Sequence, residues 1–378
     1  MEQETLVYPL ADNTVLQDKY TILNVLNAGG FGITYLALDN PNSRYVVIKE
    51  CMPDAYAYRD LNTGCVHPRD EQTATSFAQS IANSQQEASV LSQLSHPGIV
   101  QVFDIFDANG TCYYVMENIQ GQTLFDLMTS MHASGQSMDP AQAMDLLFRI
   151  LDILHYLHSM GVYHCDIKPG NIFIQPDGTP KLIDFGAVRT KTLQHQGLVQ
   201  ITPGYTPPEF YPGRRSEIGP WCDIYELGAT FYELLTGQVP QPADQRSVVD
   251  RNPKVTSYAI LRQTYPMNFL SGIDKALSPD ERNRFHSAKA WHDYINAMGA
   301  AGTLKAGGSG QKNPSQGTEK VIRRNRLPDH PPHCGGGSLG LLETGTGQFL
   351  TGISLHDQSD GRAGPPCRTG HAPACGHA

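Results

Sequence analysis

Two carboxylates, a lysine and an amide stand close together in Val162-Tyr-His-Cys-Asp-Ile-Lys-Pro-Gly-Asn171 and Leu182-Ile-Asp-Phe-Gly186, namely Asp166, Asp184, Lys168 and Asn171. Moving a phosphoryl group from a nucleotide to a hydroxyl asks for such a set: one carboxylate to receive the attacking hydroxyl, and a second carboxylate with an amide to hold metal ions. Taken singly, Asp-Phe-Gly is a common turn tripeptide and His-x-Asp is more often structural than catalytic. Found together, in this order and at this spacing, they argue for chemistry.

The same stretch resembles the catalytic loop and metal-binding turn of the protein kinases. The resemblance implies that Asp166 receives the acceptor hydroxyl and that Asn171 and Asp184 hold Mg2+ or Mn2+. Lys168, two residues after Asp166, is placed as in serine/threonine kinases, where it neutralises charge on the transferred phosphoryl.

These residues need a frame. Tyr20 to Leu26 alternates as a strand, Asn27-Ala-Gly-Gly-Phe-Gly32 follows, and Ile33 to Leu38 is a second strand. A glycine-rich turn between strands lets backbone approach phosphates that side chains would exclude. The resemblance therefore puts Asn27, Ala28, Gly29, Gly30, Phe31, Gly32 and Thr34 at ATP, with Asn27 in place of the first glycine of the kinase pattern. Asn tolerates left-handed backbone, so the loop is expected to close.

Tyr45 to Glu50 resembles the third kinase strand, with Val47 at the nucleotide and Lys49 gripping the α- and β-phosphates. Glu87 is its expected partner, on a helix over Phe77 to Leu94 whose Ile81, Ala88, Leu91 and Leu94 recur at helical spacing. Between strand and helix lies an insert, Glu50 to Arg59 and Asn62 to Pro68. With Phe31, Gly32, Thr34 and Tyr35 it looks like the insert of a group of bacterial serine/threonine kinases.

Strands over Val100 to Phe106 and Thr111 to Met116 flank Asn109-Gly110, a hairpin signal. The resemblance makes Met116 the gatekeeper, Glu117 to Gly121 the adenine-binding hinge, and Ile119 and Phe173 further nucleotide contacts. Helices are expected over Leu124 to Met128 and Pro140 to Met160, the second with a core stripe from Ala143 to Leu157.

Past the metal turn, the resemblance makes Thr202 the threonine that contacts Asp166 and Lys168, and Pro207-Pro-Glu209 the anchor of the activation segment. Asp223 is expected to be buried and to accept hydrogen bonds from catalytic-loop backbone. The arginine that pairs with Glu209 is either Arg284, by its neighbours, or Arg282, by its distance from Pro279; Arg284 is preferred. Cys165 replaces the usual arginine of His-Arg-Asp, so phosphate on Thr190 or Thr192 is not expected to be needed, unless Arg189 substitutes. Leu91, Val102, His164 and Phe185 are expected to stack and hold the active arrangement.

Composition agrees. Forty per cent hydrophobic and 17% charged residues suit a globular core, and a net charge of -9 argues against nucleic acid as a partner. No run reaches the roughly 18 apolar residues of a membrane helix, and the N-terminus does not read as an export signal. The eight cysteines lack paired CxxC spacing, so a reduced, cytoplasmic setting is expected. The three tail cysteines, Cys334, Cys367 and Cys375, share no zinc-like spacing with the histidines beside them.

The expectation is an α+β, two-lobed protein kinase fold. It comprises a leader at 1–19, a catalytic domain at 20–297 (β-rich N-lobe 20–117, helical C-lobe 121–297) and a disordered low-complexity tail at 298–378. As a bacterial, eukaryotic-like serine/threonine kinase it would use ATP and Mg2+ to phosphorylate protein substrates, itself included. The alternative is a pseudokinase scaffold that binds nucleotide weakly, motivated by Asn27 and Cys165.

Overall fold

A computed structural model of the chain describes residues 8–190, 201–213 and 217–303, with backbone alone for 298–303. The first lobe is built on β1 (Val15–Leu16), β2 (Tyr20–Gly29), β3 (Gly32–Asp39) and β4 (Arg44–Cys51). A small hairpin follows, β5 (Ala57–Arg59) with β6 (Val66–Pro68), then helix α1 (Glu71–Ser92), β7 (Val102–Ala108) and β8 (Thr111–Glu117). The main sheet is antiparallel in the order β1-β2-β3-β4-β8-β7. Alternation places Ile22, Ile33, Tyr35, Ala37, Val46, Ile48, Tyr113 and Val115 in its core.

Two boundaries and one loop residue differ from expectation for local reasons. The leader joins the sheet: β1 pairs with β2, and Leu10 and Leu16 are buried, because their apolar side chains have a core face to cover. Helix α1 starts at Glu71 instead of Phe77, since Asp70 and Thr73 form a capping box that satisfies its first amides. Asn27 lies in the β2–β3 ladder opposite Thr34, and it is absent from the residues with positive φ, so the loop closes without a left-handed Asn.

The second lobe begins with β9 (Gln122–Thr123), α2 (Leu124–Ala133), α3 (Pro140–Ser159) and β10 (Val162–Tyr163). It continues through β11 (Ile172–Ile174), β12 (Pro180–Leu182), β13 (Arg189–Thr190) and α4 (Pro220–Thr236). Short α5 (Ala243–Arg246) and α6 (Ala259–Thr264) lead to α7 (Met267–Ala276) and α8 (Ala288–Thr303). The α3 stripe from Ala143 to Leu157 is buried in one core with Ile224, Leu227, Phe231, Phe269, Leu270 and Trp291.

Helix α8 runs past the expected domain end at 297. The expectation of a disordered tail concerns, from residue 304 onward, positions outside the described residues, as does Thr192.

Candidate active site

The two lobes bring their charged residues together between β4, α1 and the loops after β10 and β12. Lys49, on β4, places Nζ 3.0 Å from Asp184 Oδ1 and 3.4 Å from Glu87 Oε1. Burial disfavours the ammonium, but the two carboxylates outweigh it and raise the Lys49 pKa well above its ordinary value. Lys49 in turn lowers Asp184 to about 2, so this carboxylate is ionised throughout the neutral range. Burial pushes Glu87 up against the pull of Lys49.

Asp166 and its neighbours form the opposite wall. Lys168 Nζ lies 2.9 Å from Asp166 Oδ2, and Asn171 Nδ2 donates to both the carbonyl (2.9 Å) and Oδ2 (2.8 Å) of Asp166. With its amide nitrogen spent there, Asn171 offers its other end, an oxygen, to a ligand. Burial raises the Asp166 pKa, with Lys168 opposing. Thr202 Oγ1 accepts from Lys168 Nζ at 3.4 Å, joining the activation segment to the catalytic loop.

Two site residues have left-handed backbone, Cys165 at φ 63° and Asp184 at φ 58°. For non-glycine residues this costs on the order of 1–3 kcal/mol each and persists only where the surroundings impose it. At Cys165 the constraint is visible: its N–H donates to Asp223 Oδ1 at 2.8 Å, and the His164 N–H donates to Oδ2 at 3.1 Å. Asp223 is fully buried; burial pushes its pKa up, but the hydrogen bond to His158 Nε2 (2.7 Å) and these amides bring it below the ordinary value. Of the expected stack, the His164 and Phe185 rings lie 4.5 Å apart, and Leu91, Phe185 and the half-buried Val102 belong to one core.

The residues that the resemblance assigns to a nucleotide lie on the following elements. Gly29 closes β2, Gly32 opens β3, and Phe31 at the tip is exposed. A Cβ on Gly32 would lie 2.2 Å from the Glu50 carbonyl, so only glycine fits that crossing. Val47 pairs with Met116, and Thr34 with Lys49. Glu117 has its carboxylate 2.5 Å from Lys181 Nζ and its N–H on the Gln101 carbonyl, which leaves neither for a nucleotide. Ile119 packs against the second-lobe core, and Phe173 is buried opposite Thr123 in the β11–β9 ladder.

Three residues of the site went unread in the sequence. Tyr114 donates its hydroxyl to Glu87 Oε1 at 2.8 Å, and its ring lies beneath Lys49. His158 holds Asp223, and Glu226 accepts the Ile167 N–H at 2.7 Å between Asp166 and Lys168. A glutamate inside the apolar run of α4 was the available signal for Glu226; Tyr114 and His158 carry none apart from the fold.

A divalent cation fits the donor set: Asp184 is ionised, Asn171 presents an oxygen, and hard cations take oxygen ligands.

Residues 20–294 match the family model described as protein kinase domain. The chain is similar to serine/threonine-protein kinase PknA of Nostoc sp., 32% identical over 294 residues, covering 73% of this chain and 46% of that protein. It is also similar to serine/threonine-protein kinase PrkC of Bacillus subtilis, 29% identical over 280 residues, covering 72% of this chain and 39% of that protein. This chain thus spans less than half the length of these relatives. Among solved structures, one titled PpkA-294 apo form aligns with a TM-score of 0.66 at 28% identity, covering 76% of this chain and 99% of that one.

Proposed function

On the premise that this chain belongs to the protein kinase family, among the serine/threonine kinases of bacteria, we propose that it transfers the γ-phosphoryl of ATP to serine or threonine hydroxyls of protein substrates, itself included. The observation that carries this reading is Lys49, tied at once to Glu87 and Asp184 across from Asp166, Lys168 and Asn171.

In this mechanism the glycine loop, from Asn27 to Gly32 with Thr34, covers the phosphates, and Lys49 holds the α- and β-phosphates against Asp184. Val47, Met116, Ile119 and Phe173 line the adenine, with Glu117 contributing its main-chain carbonyl, since its N–H is held by Gln101. Asn171 and Asp184 would hold Mg2+ or Mn2+, and the ion would supply positive charge to offset that of the phosphates. Asp166 orients the acceptor hydroxyl and takes its proton. Lys168, kept in place by Asp166 and Thr202, balances charge on the moving phosphoryl group.

The pseudokinase alternative gains no support. Asn27 is an ordinary ladder residue and Cys165 turns a buried side chain inward, so neither substitution removes a charged group that the proposed transfer uses. Among the described residues no helix is long and apolar enough to cross a membrane.

Incubation of the purified chain with labelled ATP, magnesium and a general acceptor protein, beside Asp166→Asn, tests the proposal. Magnesium-dependent transfer present in the wild type and lost in the variant is expected; equal signals in both would overturn it.

A further inference from the structure

The glycine loop does not hang free between its strands. Immediately after Lys49 the chain folds back on it, through the insert that separates β4 from α1.

The anchor of this insert is Glu50, fully buried. Its Oε2 accepts from the Tyr35 hydroxyl at 2.7 Å and from Arg59 at 2.5 Å, and its Oε1 accepts from the Tyr113 hydroxyl. Arg59 also donates to the Tyr8 and Gly64 carbonyls, at 2.8 Å each. A buried carboxylate with this many donors fixes the segment rigidly to the sheet. The hairpin end is fixed as well, by the Val66 N–H on the Asn109 carbonyl at 2.7 Å.

From that platform one peptide reaches the loop. The Asp54 N–H donates to the Gly30 carbonyl at the tip, 3.2 Å away. The Asp54 carbonyl accepts from Arg69 Nε at 2.7 Å, and Arg69 directly precedes Asp70, the cap of α1. Gly30 thus leans on Asp54, Asp54 on Arg69, and Arg69 leads into the helix that carries Glu87.

We propose that the insert is a buttress for the glycine loop, with Asp54 as the positioning residue that holds the loop tip closed through its main-chain N–H and links that closure to helix α1. The proposal rests on the reading of the site as an ATP site and adds how its phosphate cover is positioned. Glycine loses more freedom on ordering than any other residue, so a loop with three glycines is costly to order when a nucleotide arrives. A loop already held closed avoids that cost, and affinity rises accordingly.

The turn geometry supplies a clean test. Tyr56 N–H donates to the Pro53 carbonyl at 3.0 Å, which puts Asp54 at the second position of a β-turn, where proline is favoured. Asp54→Pro therefore keeps the turn and removes only the donor to Gly30 beyond what Asp54→Ala removes. Binding of magnesium with the non-hydrolysable analogue AMP-PNP is measured by calorimetry for both variants and the wild type, with Tm as the check on folding. Asp54→Pro should bind about tenfold more weakly than Asp54→Ala, and in transfer assays KM for ATP should rise by a similar factor while kcat changes less than about threefold.

Equal affinities for the two folded variants would overturn the buttress. Should Asp54→Pro fail to fold, amide exchange in the wild type decides: the Asp54 amide should be protected, and more so with AMP-PNP bound. Exchange as fast as a solvated loop amide in both conditions would overturn it. A wild type that binds no AMP-PNP but shows a protected Asp54 amide overturns the ATP reading and leaves the contact standing.

Discussion

Arg284 and Glu209, 75 residues apart in the chain, form a two-pronged ion pair in the interior of the second lobe, with Nη1 2.6 Å from Oε1 and Nη2 3.2 Å from Oε2. Their side chains are 0% and 1% exposed. Arg284 spends its remaining donors on the Ser278, Pro279 and Trp221 carbonyls, so both ions are satisfied. Arg282, the rival by spacing, instead pairs with Asp280 and is 81% exposed.

Cutting this pair from one side strands a buried charge. Arg284→Ala should cost about 3–5 kcal/mol of unfolding free energy, whereas Arg282→Ala should stay within about 0.5 kcal/mol. Urea denaturation of both variants checks the contrast, and similar losses would refute the assignment.

Lys49→Met, Asp166→Asn and Asp184→Ala each remove one charged group from the site while leaving the cores untouched. Each should slow phosphoryl transfer ~10²-fold or more, about 2.7 kcal/mol of barrier, with little change in Tm. Initial rates with labelled ATP are the measurement; a variant that keeps a tenth of the wild-type rate would remove its residue from the proposed machinery.

Acid should switch off activity before it unfolds the protein through Asp166. Burial raises the pKa of this carboxylate, so protonation disables the proton acceptor above the ordinary carboxylate range near pH ~3.9. A raised folded-state pKa means that the native state takes up the proton more readily than the unfolded chain, so this group favours the native state as pH falls. Asp184 acts in the opposite sense: its depressed pKa contributes stability above about pH 4 that fades as pH falls toward about 2. A kcat/KM profile whose acid limb lies above the ordinary carboxylate range, on protein shown folded by circular dichroism, is the expected result. An acid limb that coincides with loss of the folded signal would contradict it.

Thr202 should matter through its hydroxyl. Thr202→Ala should lower kcat at least tenfold by releasing Lys168, and Thr202→Ser should restore most of it. Thr190 lies in β13, paired with Val162, and Thr190→Ala should stay within a few-fold of the wild type. Arg189 beside it is buried, its guanidinium on the Ala187 and Val188 carbonyls. Steady-state rates of the three variants rank them; equal losses in Thr202→Ala and Thr202→Ser would show that the hydroxyl is not what counts.

The catalytic set was legible in the sequence because its residues are local. Asp166, Lys168 and Asn171 share one loop and Asp184 follows one short strand later, so their spacing carries the resemblance that implies their chemistry. The α3 stripe was legible for a similar reason, since helical period projects one-dimensional order onto one buried face. Lys49 with Glu87 could be paired from the resemblance, although nothing between positions 49 and 87 dictates the contact by itself.

What the sequence could not decide was each choice settled by a distant partner. Arg282 and Arg284 are chemically the same residue two positions apart, and only the burial of Glu209 selects one. Asn27 was expected to stand in for a left-handed glycine, yet its pairing with Thr34 made the question moot. The leader was set apart from the catalytic domain, but a core face lay open to Leu10 and Leu16. Asp54 has no signature at all: its role resides in a main-chain N–H, which every residue but proline carries, and only the folding of the insert over Gly30 gives that N–H a partner. Sequence encodes side chains and their local rhythm, while long-range pairing of backbone and charge exists only once the chain has closed upon itself.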